Sequence, residues 1–146
     1  SFYEIKLNTT DSKKIARFAK ASNPADSNIA SENFPVLLRD FTRIFPYHIC
    51  FDRNLIIEHV GTFLLNEYNL ANKKGLHLQD VVELLQPTAA KMEFASFLEH
   101  ANTRFFVRIK VPGNRGKEGD DPVDLQLSGQ MMPLASGNSI VFLCSP

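Results

Sequence analysis

The chain has 146 residues, of which 44% are hydrophobic and 22% charged, and its 16 basic and 16 acidic residues give a formal net charge of zero. This length and composition predict one folded domain. A balanced charge argues against nucleic acid as a partner, because binding to phosphates needs a basic surplus. No apolar run approaches the roughly 20 residues that span a bilayer, and no signal-peptide pattern is visible, so we expect no membrane association and a cytoplasmic location.

Residues 1–31 are predicted to form an N-terminal arm or linker, and they include one candidate short helix. Asp11-Ser12 is a plausible helix cap ahead of an apolar-basic segment, and Pro24 lies in the polar stretch that follows. Residues 32–146 are predicted to form the domain proper. It begins with a flanking helix, residues 32–45, which ends before Pro46 because proline disfavours helical geometry in the residue that precedes it.

The rest of the chain alternates between strand and helix patterns. The strand segments show apolar alternation and the helix segments show apolar residues every three to four positions. The predicted strands are Tyr47–Phe51, Leu55–Val60, Arg104–Val111, Asp124–Met132 and Ser139–Ser145, and the predicted helices are Thr62–Leu70, Leu78–Leu85 and Lys91–Thr103. This order predicts an α+β fold with a five-stranded antiparallel sheet and short helices on one face.

Several ordered runs resemble a known family. They are Phe45-Pro46-Tyr47-His48, Phe51-Asp52-Arg53, Gly129-Gln130-Met131 and Phe142-Leu143-Cys144-Ser145-Pro146. Together they resemble the PAS-like domain that follows the haem-binding H-NOX domain in soluble guanylate cyclase subunits and in some bacterial signalling kinases. The resemblance covers about residues 34–146 and implies a PAS-like fold.

The resemblance also implies a role and partners. It implies a non-catalytic domain that dimerises, contacts neighbouring H-NOX and coiled-coil segments, and relays ligand state to a cyclase that forms cGMP. The partner would be a second PAS-like domain, in a homodimer or a heterodimer. The haem would lie only in a separate H-NOX domain, and no cofactor is expected here. The alternative is a sensory PAS domain of a histidine kinase that binds a small ligand in its core.

No catalytic or metal-ligating pattern stands out. His48, Cys50 and His59 could approach one another on adjacent strands, but no paired ligand spacing such as CxxC or HxxxH occurs, so we expect no metal site. Cys50 and Cys144 each lie in an apolar strand pattern, which favours reduced, buried thiols. No nucleophile has a recognisable neighbouring base, so we predict no catalytic residue.

Two groups of apolar residues are candidate binding surfaces. The first is a predicted dimer interface on and after the flanking helix, formed by Leu37, Leu38, Phe41, Ile44, Phe45 and Tyr47. The second is a candidate apolar pocket between sheet and helices, formed by Ile49, Phe51, Ile57, Phe63, Val82, Phe97, Val107, Leu127 and Phe142. The same nine residues would equally form a closed core, and that interpretation is favoured.

Overall fold

The computed structural model describes residues 36–114 and 124–146. The chain divides into two compact units, Ser1–Ile44 and Phe45–Pro146. In the described part of the first unit, helix α1 spans Leu38–Ile44 and has no buried residue. The predictions for residues 1–31, and the first residues of the predicted flanking helix, lie outside the described residues.

The second unit is an α+β domain. Its elements, in chain order, are β1 (Ile49–Asp52), β2 (Ile57–Val60), α2 (Thr62–Glu67), α3 (Leu78–Val81), β3 (Val82–Gln86), α4 (Phe94–Glu99), β4 (Arg104–Ile109), β5 (Gln126–Pro133) and β6 (Ser139–Ser145). The strands form one sheet in the order β2-β1-β6-β5-β4-β3, and every neighbouring pair is antiparallel. The predicted α+β antiparallel class is therefore confirmed.

The number of strands was predicted wrongly, because the sheet of the second unit has six strands rather than five. The predicted helix Leu78–Leu85 is in fact one helical turn, α3, followed directly by β3. The apolar pairs in this segment are compatible with a helix or a strand. The strand forms because it pairs with β4, whose backbone groups would otherwise be left without partners at the edge of the sheet. Glu83 faces Arg108 across this pair and forms an ion pair with it.

One face of the sheet carries the core of the second unit. Leu64 of α2, Val81 of α3 and Phe97 of α4 pack in one cluster with alternate strand residues such as Phe51 and Phe105. Aromatic rings fill its centre, where Phe97 meets Phe51 at 5.5 Å and Phe105 at 5.6 Å between ring centroids, edge to face in both cases. Such tilted ring pairs add to the stabilisation that burial alone provides.

The opposite face of the sheet is also partly buried. The register places Cys50 directly across from His59 on β2 and from Val141 on β6, so these three residues share a face. Cys50 and Val141 are buried, yet neither belongs to the main apolar cluster. Strand β1 and the part of β6 beside it are therefore buried on both faces of the sheet.

Candidate functional site

The segment Phe45–His48, called the junction below, leads the chain into β1. Four backbone hydrogen bonds fix it. The amide of His48 donates to the Phe45 carbonyl at 3.2 Å, and the amide of Gly61 donates to the His48 carbonyl at 2.8 Å. The Pro46 carbonyl accepts from the amides of Phe63 at 3.1 Å and Leu64 at 3.5 Å. The junction is thus tied to the end of β2 and to the first turn of α2.

These bonds are accompanied by a close approach between the backbones of Gly61 and Pro46. A Cβ atom added to Gly61 would lie 2.1 Å from the carbonyl carbon of Pro46, far inside van der Waals contact. Only glycine leaves room for the two backbones to approach so closely. The Tyr47 ring then packs on Phe63 of α2, with ring centroids 4.8 Å apart.

A second close approach explains another of the quoted runs. A Cβ atom on Gly129 would lie 1.9 Å from the Leu143 carbonyl oxygen, near the end of the β5–β6 pair where Gly129 lies opposite Cys144. The neighbouring Cys144 thiol donates to the Tyr47 carbonyl at 3.1 Å. Gly129 therefore lies opposite Cys144 in the β5–β6 pair, and Cys144 in turn contacts the junction.

His48 is the polar centre of the junction. It is fully buried, its Nδ1 lies 2.8 Å from the Phe45 carbonyl oxygen, and its Nε2 lies 2.7 Å from Nδ1 of His59. A carbonyl oxygen only accepts, so Nδ1 of His48 carries the hydrogen. With His48 neutral, its Nε2 accepts, and Nδ1 of His59 donates to it. The two rings meet edge to face, with centroids 4.9 Å apart.

Burial decides the charge state of His48. It lowers the pKa of His48 to about 4, against a smaller opposing effect of the hydrogen bond to Phe45. The imidazole is therefore neutral at pH 7. Burial likewise raises the pKa of the Cys144 thiol, so that thiol stays protonated and is a poor nucleophile at neutral pH. Cys50 and Cys144 are not joined in a disulfide.

The structure brings together two of the three residues considered for a metal. His48 and His59 contact each other through a hydrogen bond, and Cys50 lies across from His59. Within residues 36–114 and 124–146, no group of three His, Cys, Asp or Glu side chains is arranged to hold a metal ion. The same ranges contain no helix long and apolar enough to cross a membrane.

The residues of the predicted dimer interface divide between the two units. Leu37, Leu38 and Phe41 are half-buried, whereas Ile44 at the end of α1 is 63% exposed. In the second unit, Phe45 is 39% exposed and Tyr47 is half-buried against Phe63. The assignment of these residues to an interface stays a prediction.

The nine candidate pocket residues all lie in or against the core cluster. Seven of them are buried, and Ile57 and Phe63 are partly buried. Phe94 of α4 and Phe105 of β4 are also buried there, although the sequence analysis did not include them in this set. Their apolar positions in the predicted helix and strand were the pattern that could have identified them. Whether these residues enclose a ligand stays a prediction.

A separate surface cleft of about 380 Å³ lies beside the junction. It is lined by Thr62, Phe63, Asn66, Glu67 and Asn114. The Asn114 side chain closes one side by donating to the Asn66 carbonyl at 3.0 Å. Sequence reasoning missed this cleft because Asn114 is 47 positions or more from the others and has no pattern of its own.

Comparison with known proteins identifies similar sequences over most of the chain. The family model described as Heme NO binding associated matches residues 34–146. The chain is 42% identical over 135 residues to soluble guanylate cyclase gcy-37 of Caenorhabditis elegans, covering 89% of this chain and 19% of that protein. It is 30% identical over 141 residues to soluble guanylate cyclase gcy-35 of the same organism, covering 94% of this chain and 20% of that protein.

A mammalian protein is also similar. The chain is 32% identical over 111 residues to guanylate cyclase soluble subunit alpha-2 of Rattus norvegicus, covering 76% of this chain and 15% of that protein. The matched region therefore amounts to a fifth or less of the length of these three relatives. Their names describe proteins much longer than the region that matches.

Proposed function

Because this chain belongs to the Heme NO binding associated family, we propose that it is a regulatory dimerisation and signal-relay domain of a longer guanylate cyclase that senses nitric oxide or another gas. The observation that carries this proposal is the 42% identity to a soluble guanylate cyclase over 89% of the chain. The relatives reported above are all guanylate cyclases, which favours a cyclase parent over the histidine kinase alternative.

Under this proposal, the domain itself is not catalytic and holds no cofactor. Formation of cGMP takes place in another domain of the parent, and haem lies in a separate H-NOX domain. The domain contacts its H-NOX and coiled-coil neighbours and works in the cytoplasm, a location that fits relatives named as soluble enzymes. The relay would use the junction, because the chain passes from α1 into the sheet through it.

Association would use the apolar residues on and after α1. Ile44 is 63% exposed and Phe45 is 39% exposed, and contiguous exposed apolar side chains of this size are a common mark of a protein interface. Leu37, Leu38 and Phe41 are half-buried in the isolated chain and would complete the apolar surface. The partner is a second PAS-like domain, in a homodimer or a heterodimer.

Sedimentation equilibrium of the 146-residue chain over a wide concentration range tests this proposal. We expect a dimer for the natural sequence and at least a tenfold weaker association for Ile44→Glu, because a carboxylate would have to leave water to enter an apolar contact. Arg39→Glu is the matched control, since it places the same side chain at an exposed polar position of α1. The control should associate like the natural chain.

An absorption spectrum of the same sample tests the expected absence of a cofactor. A visible chromophore on a monomer would contradict the proposal and support a ligand-sensing domain. A monomer without a chromophore would exclude the homodimer, and mixing it with the corresponding domain of an alpha-2-type subunit would then test the heterodimer. An Ile44→Glu chain that stays fully dimeric would show that α1 does not form the interface.

A further inference from the structure

His48 and His59 form a directional hydrogen-bonded chain that ends on the backbone of the junction. The donor on Nδ1 of His59 points to Nε2 of His48, and the donor on Nδ1 of His48 points to the Phe45 carbonyl oxygen. The Phe45 carbonyl also accepts from the His48 amide, so one residue holds it twice. Below, the His48–His59 pair is called the histidine latch.

Among the described residues, two ionisable side chains are neighbours of the histidine latch on β1 and β2. On β2, Glu58 precedes His59 and accepts a hydrogen bond from the Ser139 hydroxyl of β6. On β1, the buried Cys50 side chain shares the sheet face of His59 and is not in a disulfide. The factors that set the charge of His48 are burial first and the Phe45 carbonyl second.

The two imidazoles respond differently to an added proton. An N–H on Nε2 of His59 leaves Nδ1 of that ring as a donor, so the chain His59 to His48 to Phe45 persists. A proton added to Nε2 of His48 removes the only acceptor in that chain. If both rings are charged, two N–H groups face each other across 2.7 Å with no acceptor between them.

We propose that the histidine latch is an acid-sensitive conformational device, which holds the junction closed while His48 is neutral and releases Phe45–Tyr47 when His48 takes a proton. Release follows because the charged His48 ring must move toward water, and it then leaves the Phe45 carbonyl. Two contacts of the junction with Phe63 would be lost as the Phe45 carbonyl is released. One is the hydrogen bond from the Phe63 amide to the Pro46 carbonyl, and the other is the packing of the Tyr47 ring on the Phe63 ring.

The consequence for signalling rests on the proposed function, whereas the latch itself does not. If the junction relays movement between α1 and the sheet, then opening the latch uncouples them. Because folding buries His48 and lowers its pKa to about 4 from 6.5, the latch contributes stability that is fully present above pH 6.5. That contribution decreases as the pH falls from 6.5 toward 4, by up to tenfold in the folding equilibrium constant per pH unit.

Nitrogen-15 NMR of the imidazoles in the 146-residue chain is the direct test. At pH 7 we expect His48 with hydrogen on Nδ1 only, and His59 also with hydrogen on Nδ1. Amide hydrogen exchange between pH 7 and 4 should then show at least a tenfold loss of protection at His48, Gly61 and Phe63, while β4 and β5 amides stay protected. Hydrogen on Nε2 of His48 at pH 7, or uniform loss of protection, would overturn the proposal.

His48→Asn provides the matched variant. Its side-chain amide can still donate to the Phe45 carbonyl but does not titrate, so we expect protection at Gly61 and Phe63 to become independent of pH between 6.5 and 4. His100→Gln is the control, because His100 contacts the Ser96 carbonyl far along the chain and should leave the pH response unchanged. Should His48→Asn fail to fold, the NMR of the natural chain still decides.

The two proposals fail in different experiments. A chain that dimerises at pH 7 but shows no selective opening would overturn the latch alone. A chain that opens selectively at the junction but never associates with a second PAS-like domain would overturn the proposed function alone.

Discussion

The core and the junction lie on the same sheet but are built from different kinds of interaction. The core is filled by large apolar rings, with Phe97 held edge to face between Phe51 and Phe105. The junction is held by particular atoms: the carbonyls of Phe45, Pro46 and His48, and a backbone approach at Gly61 that excludes any side chain. The first depends on volume and the second on donors, acceptors and backbone geometry.

This difference predicts different tolerance to substitution. A core tolerates apolar replacements of similar volume at modest cost, because burial is not directional. A junction built on backbone contacts tolerates few replacements, since moving one atom breaks several hydrogen bonds together. Variation in the core should therefore change the free energy of unfolding, whereas variation at the junction should also change local opening.

Phe97→Ala should have the largest effect. Phe97 is 1% exposed, and removing its ring leaves a cavity beside Phe51 and Phe105 that should lower the free energy of unfolding by about 4 kcal/mol. Phe97→Leu should cost much less, at about 1 kcal/mol, because it keeps most of the volume. Urea unfolding followed by circular dichroism measures both values.

Leu98→Ala is the control on the same helix. Leu98 is 41% exposed, so its truncation should change the free energy of unfolding by less than about 1 kcal/mol. Equal losses for Phe97→Leu and Phe97→Ala would show that ring shape, and not volume, governs this part of the core. The contrast with the junction would then disappear.

Gly61→Ala tests the junction. The added Cβ would meet the Pro46 backbone at 2.1 Å, so the junction must move and its hydrogen bonds to Phe63 and Gly61 must lengthen. We expect a loss of about 3 kcal/mol in the free energy of unfolding. Hydrogen exchange should locate the change at His48, Gly61 and Phe63.

Gly75→Ala is the matched control for that substitution. Gly75 has a φ of +67° and no atom within 4 Å of an added Cβ, so alanine there meets only the left-handed backbone cost of about 1 kcal/mol. A Gly61→Ala chain as stable as the Gly75→Ala chain would mean that the junction yields easily. It would then be a poor element for transmitting movement.

Most of the strands could be predicted from the sequence because apolar and polar residues alternate along them, as buried and exposed positions do in the sheet. Val107 and Leu127, both predicted to face inward, pair directly and are buried. The pattern failed at Val82–Gln86, where apolar pairs fit helix or strand equally and the choice depends on β4, which is distant in the chain. The apolar pattern of residues 82–86 contains no information about the edge of β4, with which this segment pairs.

The junction was predictable only in part. The run Phe45–His48 was recognised from its resemblance to a family, and His59 was placed on the neighbouring strand. Periodicity gave no indication of the hydrogen bond between these two histidines or of the contact between Gly61 and Pro46. Both follow from how β1 pairs with β2, and a backbone contact of this kind leaves no sequence pattern other than a glycine.

Asp52→Ala addresses the far end of the β1–β2 hairpin and should have the smallest effect of the three. The Asp52 carboxylate accepts from the amides of Asn54 at 2.8 Å and Ile56 at 3.0 Å, which stabilises the turn. Its removal should cost about 1 kcal/mol, because water can replace these bonds in an exposed turn. Asp52→Asn keeps the acceptor oxygen and should cost a few tenths of that value.

Urea unfolding of both Asp52 variants, together with hydrogen exchange at His48 and Gly61, tests whether this turn and the junction open independently. If the turn and the junction are independent, Asp52→Ala leaves protection at the junction unchanged, because the two ends of the hairpin share no hydrogen bond. Loss of protection at Gly61 in that variant would contradict independence. It would show that β1 and β2 open as one unit, and the junction would then extend along the whole hairpin.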